Sequence, residues 1–155
     1  MKILILCILA SSVLWEPPRR FRGPFPGHLE LPPGYVVYHI PTLDSQAGEV
    51  EGPDHFTLRF DIGHMAGTHM FEARKSECQW FLQHTVGEQR AFTGVVESNG
   101  KRQIMTTVMT EPSTIPANFS AMVRSEKDVA LFLTIVATYR QQKAGSANQT
   151  KPRSQ

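Results

Sequence analysis

The chain has 155 residues, of which 41% are hydrophobic and 19% charged, and its formal net charge is +2. This length and composition fit one globular domain with a buried core and exclude disorder of the whole chain. Because the net charge is small and the basic residues are scattered, we expect no nucleic-acid binding.

The N-terminus resembles a secretory signal peptide. Lys2 supplies a short positive region, residues 3–10 form an apolar run, and small residues follow at 10–12. The run is shorter than the about 20 residues that span a bilayer, so we expect no stable membrane insertion. A buried strand over 3–9 is the alternative. We assign residues 1–12 to a signal peptide and expect a secreted, extracellular protein.

Residues 13–33 form a Pro- and Arg-rich segment with six prolines, predicted to be an extended arm. Arg19 and Arg22 have the spacing of a minimal proprotein-processing signal, which would place cleavage after Arg22 and before Gly23. Alternatively, this basic, aromatic-bearing arm docks onto the domain or onto a partner.

The β domain is predicted over 34–143. Residues 35–40 have the composition of a first strand, and 41–54, rich in glycine and acidic residues, that of a loop. Residues 55–62 alternate strictly, with apolar side chains on one face, Arg59 and Asp61 among the polar ones on the other. Further strands are predicted over 69–74 and 78–85.

The dipeptide Asn99-Gly100 predicts a type I′ hairpin between two strands within residues 90–110. In the resulting register one face carries favourable cross-strand pairs. These pairs are Glu97/Arg102, Val95/Ile104, Thr93/Thr106 and Ala91/Val108.

The second face of this hairpin is the predicted ligand-binding surface. It carries Phe92, Gly94, Val96, Met105 and Met109, which combine apolar side chains, flexible thioethers and one missing side chain. In a closed barrel this face would line a cavity for a small hydrophobic ligand, whereas between two sheets it would be ordinary core.

The C-terminal part contains one weak strand and one ambiguous segment. Residues 111–117 contain two prolines and cannot continue a ladder, and 118–124 alternate weakly as a strand. The β-branched and aromatic content of 129–139 favours a buried strand, which we prefer. The alternative is a helix, because Ser125 and Asp128 resemble an N-terminal capping box and Arg140 stands near a helix end. The polar tail 144–155 is predicted to be disordered.

Together these segments predict an all-β protein: an antiparallel meander of about seven or eight strands that forms a barrel or sandwich, with a C-terminal helix as the alternative to a last strand. The layout resembles that of calycin-type secreted barrels. Their Gly-x-Trp signature on the first strand is replaced here by Gly34-Tyr35-Val36, so we infer no family membership.

Two sequons agree with secretion, Asn-Phe-Ser from Asn118 and Asn-Gln-Thr from Asn148. We predict both as glycosylation sites, with Asn118 in a loop after Pro116 and Asn148 in the tail. After signal cleavage Cys78 would be the remaining cysteine. It is then either buried beside Trp80 or forms an intermolecular disulfide, so a Cys78-linked dimer is an option.

No sequence motif indicates catalysis or a bound cofactor. The chain lacks a Gly-x-Ser-x-Gly elbow, a His-Glu-x-x-His pair, a phosphate-binding loop and a Cys-x-x-Cys motif. His55, His64, His69 and Glu72 would suit zinc if they converged, but their spacing matches no recognised metal motif. We therefore expect a non-enzymatic protein without metal or cofactor.

The leading hypothesis is a secreted, N-glycosylated binding protein that carries a small hydrophobic ligand in a β-barrel cavity. The alternative is an extracellular protein-interaction module, an immune-type ligand or inhibitor that uses exposed strands and the Pro-rich arm. The absence of a Cys-Trp-Cys pattern argues against an immunoglobulin domain in the strict sense.

Overall fold

The computed structural model describes residues 20–63, 75–109 and 116–141. The signal-peptide segment, the strand predicted over 69–74 and most of the 111–117 loop lie outside the described residues. The same holds for His64, His69, Glu72 and Asn148. In the described part of the chain, no helix is long and apolar enough to cross a membrane.

The predicted all-β, antiparallel class is confirmed. Within the described residues, the sheet contains eight strands and is followed by one α-helix. The strands are β1 (Phe21–Arg22), β2 (Val36–Ile40), β3 (Ser45–Glu51), β4 (Thr57–Gly63), β5 (Cys78–Val86), β6 (Gln89–Ser98), β7 (Lys101–Val108) and β8 (Ala117–Val123). A short 3-10 helix, Lys75–Glu77, precedes β5, and α1 (Glu126–Ala137) follows β8.

The strand order is β1-β2-β3-β4-β8-β7-β6-β5, with all neighbours antiparallel. Two meanders, β1 to β4 and β5 to β8, therefore meet where β4 pairs with β8. β4 lies in the middle of the sheet, and β5, the next strand in the described sequence, lies at its far edge. Within the described residues no ladder joins β1 to β5, so the sheet is not closed.

The hairpin register is confirmed. The ladder between β6 and β7 runs from Ser98/Lys101 to Ala91/Val108 and contains every predicted pair. Asn99 and Gly100 have φ values of 52° and 70°, as a type I′ turn requires.

The loop prediction for residues 41–54 was wrong, because Ser45–Glu51 forms β3. Gly48 lies inside this strand. The position requires glycine because a Cβ there would overlap the carbonyl oxygen of Tyr38 and the ring of Phe60. This glycine marks close packing rather than a turn. The acidic residues Glu49 and Glu51 lie on the outward face of β3, opposite the buried Val50.

The preference for a strand over 129–139 was also wrong, because this segment lies largely in α1. The capping signal decided the structure: Ser125 is the N-cap, and its side chain accepts a hydrogen bond from the backbone N–H of Asp128 at 3.2 Å. The buried side chains of the helix recur at helical spacing, at Val129, Phe132, Ile135 and Val136.

The core lies between the sheet and a layer formed by α1 and the N-terminal segment. Each central strand turns alternate apolar residues toward this layer, for example Leu58, Phe60 and Ile62 of β4. Phe25 of the N-terminal segment packs against Phe60 and Tyr139, with ring centroids 4.8 and 6.2 Å apart. Two backbone hydrogen bonds of 2.9 Å between His28 and Arg140 fix this segment beside the end of α1.

Candidate functional site

The sheet face opposite α1 contains a recess of about 580 Å³, which we call the outer recess. One row of side chains crosses five neighbouring strands on this face. In order from β2 to β7 the row is Ile40, Ala47, Asp61, Asn118 and Thr107. All five residues line the recess, as does Met105 in the next row, and the surface of the recess is mostly apolar.

The alternation of β4 explains why polar groups reach this face. Leu58, Phe60 and Ile62 are buried toward α1, so Arg59 and Asp61 point to the opposite side of the sheet. The outward direction of Asp61 agrees with the polar face predicted for residues 55–62. Its neighbour Ala47 comes from β3, which was predicted as a loop. Its other neighbour, Asn118, comes from β8, which lies far from β4 in sequence.

Ion pairs neutralise Glu49, which lines the recess, and Glu51 beside it. The guanidinium of Arg20 contacts Glu49 at 2.8 Å and also pairs with Glu51, and Nε of Arg59 lies 3.0 Å from Oε1 of Glu49. The hydrogen bond to Glu51, followed by that to Glu49, raises the pKa of Arg20. Both glutamates therefore have cationic partners.

Asp61 differs from these glutamates. Its Oδ1 is buried and has no hydrogen-bond partner, and Asp61 makes no ion pair within the described residues. The side chain of Asn118, its cross-strand neighbour, accepts a hydrogen bond of 2.7 Å from the hydroxyl of Thr107. Asp61, a residue of the recess lining, thus has a buried carboxylate oxygen whose hydrogen-bonding capacity is unused.

The predicted ligand-binding residues are distributed over three places on the same sheet face. Met105 lines the outer recess, and Val96 lines a separate hollow of about 300 Å³ near the hairpin turn. Phe92 is 9% exposed and stacks on Phe81 at a centroid distance of 5.6 Å.

Gly94 pairs with Met105 across the β6–β7 ladder, and the backbone N–H of Met109 donates to the carbonyl oxygen of Arg90 at 2.7 Å. Phe92 pairs with Thr107, so the row of the outer recess continues onto the predicted surface. The ligand contacts themselves stay a prediction.

The two modification sites that the structure describes lie in strands. Asn118 was expected in a loop, which is wrong, because it lies in β8 and pairs with Asp61 of β4. Its glycosylation stays a prediction. Arg22 is exposed in β1 and pairs with Tyr38, and the N–H of Gly23 donates to the carbonyl of Val37 at 3.3 Å. Processing after Arg22 also stays a prediction.

The remaining titratable candidates form no metal site in the described part of the chain, where no group of three or more His, Cys, Asp or Glu side chains converges. Cys78 is half-buried at the start of β5, and its role in a dimer stays a prediction. His84 belongs to the core side, with Nε2 2.7 Å from the hydroxyl oxygen of Thr93.

No protein-family model matches this chain, and no curated protein sequence matches it significantly.

Proposed function

We propose that this protein is a secreted, non-enzymatic binding protein that holds a small, largely apolar ligand in the outer recess. The observation that carries this proposal is the recess itself. Its volume of about 580 Å³ falls in the range of small-molecule sites, roughly 300–1,000 Å³, and its surface is mostly apolar with a few polar groups.

Packing on the other side of the sheet supports this location. Aromatic side chains occupy the space between the sheet and α1, where Phe119 contacts Tyr139 at 5.0 Å and Phe25 contacts Phe60 at 4.8 Å. A ligand on that side would have to displace core side chains. We therefore place the ligand on the outward face, rather than in an enclosed barrel cavity.

The secretory part of the proposal is supported by the signal-peptide pattern and the sequons. Expression of the full chain in a glycosylation-competent secretory cell tests it. We expect protein in the medium, with a mature N-terminus near residue 13. Retention inside the cell with an intact Met1 would contradict secretion.

Ligand uptake is tested by titrating the secreted protein with dansyl probes on medium-length alkyl chains. Met105→Trp fills the recess and should reduce probe affinity at least about ten-fold. Met122→Trp is the matched control, because Met122 is 50% exposed on the neighbouring strand and does not line the outer recess. Undetectable binding to the parent protein, or equal loss in both variants, would contradict the proposal.

The second candidate is an extracellular protein-interaction module. One observation favours it: β5 is a nine-residue edge strand, and its Leu82 is 48% exposed. Capture of a partner that is abolished by Leu82→Lys, but not by Met105→Trp, would support this function over ligand carriage.

A further inference from the structure

We propose that the outer recess selects ligands that carry a protonated amine, and that the carboxylate of Asp61 binds this group while the apolar part of the ligand packs beside Met105. This inference rests on the proposed function and names the ligand class for the same site.

Among the residues that the structure describes, Oδ1 of Asp61 is buried without a hydrogen-bond partner. Burial of an ionised carboxylate oxygen without a donor is unfavourable, and such groups in proteins are nearly always satisfied by a donor. Because Asp61 lines the recess, a rotation of its carboxylate group would turn this oxygen toward a bound ligand, which can then supply the donor.

The charged residues that line the recess are Glu49, Arg59 and Asp61, which together carry one net negative charge. Arg59 and the neighbouring Arg20 are both engaged by glutamates of β3. Arg59 is the nearest outward-facing cation along β4, but its Nε contacts Glu49. Asp61 is therefore the charged residue of the recess lining that has no ion-pair partner within the described residues.

The apolar residues around Asp61 determine the shape of ligand that the recess can hold. Ile40 and Ala47 lie in the same row as Asp61, and Met105 lies in the adjacent row of the recess. A ligand with an ammonium group at one end and a compact hydrocarbon body matches this arrangement. A divalent cation does not, because Asp61 is not part of a carboxylate or histidine cluster within the described residues.

The test compares two dansyl probes with the same linker, one ending in a primary amine and the other in a carboxylate. The parent protein should bind the amine at least about ten-fold more tightly. Asp61→Asn should reduce this preference to within about two-fold, because the amide keeps the shape and removes the charge. Asp54→Asn, at an exposed position outside the recess, should keep the preference.

The outcomes separate this inference from the proposed function. If neither probe binds, the proposed function fails. If both probes bind equally and Met105→Trp abolishes both, the recess binds ligands but the role of Asp61 is refuted. A preference that persists unchanged in Asp61→Asn also refutes it. Thermal unfolding of Asp61→Asn and of a second variant, Asp61→Ser, checks that these variants are folded. The preference of the parent protein for the amine probe is measured without any variant.

Discussion

The hydroxyl oxygens of Thr93 and Thr106 lie 2.6 Å apart across the β6–β7 ladder, and both side chains are almost completely buried. Nε2 of His84 lies 2.7 Å from the oxygen of Thr93, so a chain of three polar groups crosses three strands on the α1 side. Because each buried hydroxyl depends on its neighbour, this chain is sensitive to a single substitution.

Thr93→Val should lower the free energy of unfolding by about 1–3 kcal/mol, because it leaves the hydroxyl of Thr106 without this partner. The double variant Thr93→Val/Thr106→Val should lose less than the sum of the single variants. Urea unfolding measures both values. Thr134→Val, at an exposed helix position, is the control, with an expected change within about 0.5 kcal/mol. Additive losses would show that the two hydroxyls do not interact.

Phe25→Ala should destabilise the protein by about 2–4 kcal/mol, because the ring packs against three aromatic residues of the core. Phe21→Ala is the matched control from the same segment. Its ring is 56% exposed and stacks on His39, so the expected loss is below about 1 kcal/mol. Thermal or urea unfolding of the two variants gives the comparison, and equal losses would show that Phe25 is not part of the core.

Ser125→Ala should lower stability by about 1 kcal/mol, because the backbone N–H of Asp128 loses its side-chain acceptor at the start of α1. Ser125→Asp should retain most of the stability, since an aspartate also accepts this hydrogen bond. Urea unfolding compares the two variants. A similar loss in both would mean that capping does not explain the effect.

Burial raises the pKa of Tyr139 from 10.0 to about 12. The unfolded chain therefore loses this proton first as the pH rises, so unfolding becomes easier between about pH 10 and pH 12. Below pH 10 the buried, protonated Tyr139 contributes its full stabilisation. Loss of this stabilisation at high pH lowers the free energy of unfolding by on the order of 2 kcal/mol.

Unfolding free energies measured across this pH range test the effect, and Tyr139→Phe should show a shallower decline. Burial also raises the pKa of Tyr35, so some decline should persist in that variant. An identical decline in both proteins would contradict the role of Tyr139.

A glycan on Asn118 would occupy the outer recess and disturb the hydrogen bond from Thr107. We expect the ligand-binding form of the secreted protein to carry its glycan at Asn148. Glycopeptide mass spectrometry measures occupancy, and Asn148→Gln should remove most of the glycan. Full occupancy of Asn118 in protein that still binds the dansyl probes would contradict this expectation.

The sequence predicted best where the decisive interactions are local. Asn99-Gly100 determines a turn, and a turn of known type sets the register of both strands beside it. The helix required a choice between two local signals. The cap at Ser125 and the helical spacing of buried residues outweighed the β-branched composition of the segment.

The outer recess could not be predicted from local sequence patterns. The glycines in residues 41–54 suggested a loop. Gly48 instead lies in a strand, where the carbonyl of Tyr38 and the ring of Phe60 approach it closely, and the sequence does not reveal this contact. The sequence alone reveals neither β3 nor the pairing of β4 with β8. It therefore presented Asp61 only as one polar residue on the solvent-facing side of a strand. The burial of its Oδ1 without a hydrogen-bond partner, within the part of the chain that the structure describes, is a property of the assembled strands.

The outer recess forms only when β4 is paired with β8. Asp61 belongs to the first meander and Asn118 to the second, and the two residues become neighbours only through this ladder. Either meander folded alone would therefore offer half a site. A bound molecule would contact both halves and favour the joined state by mass action, so probe binding also measures the assembly of the complete sheet.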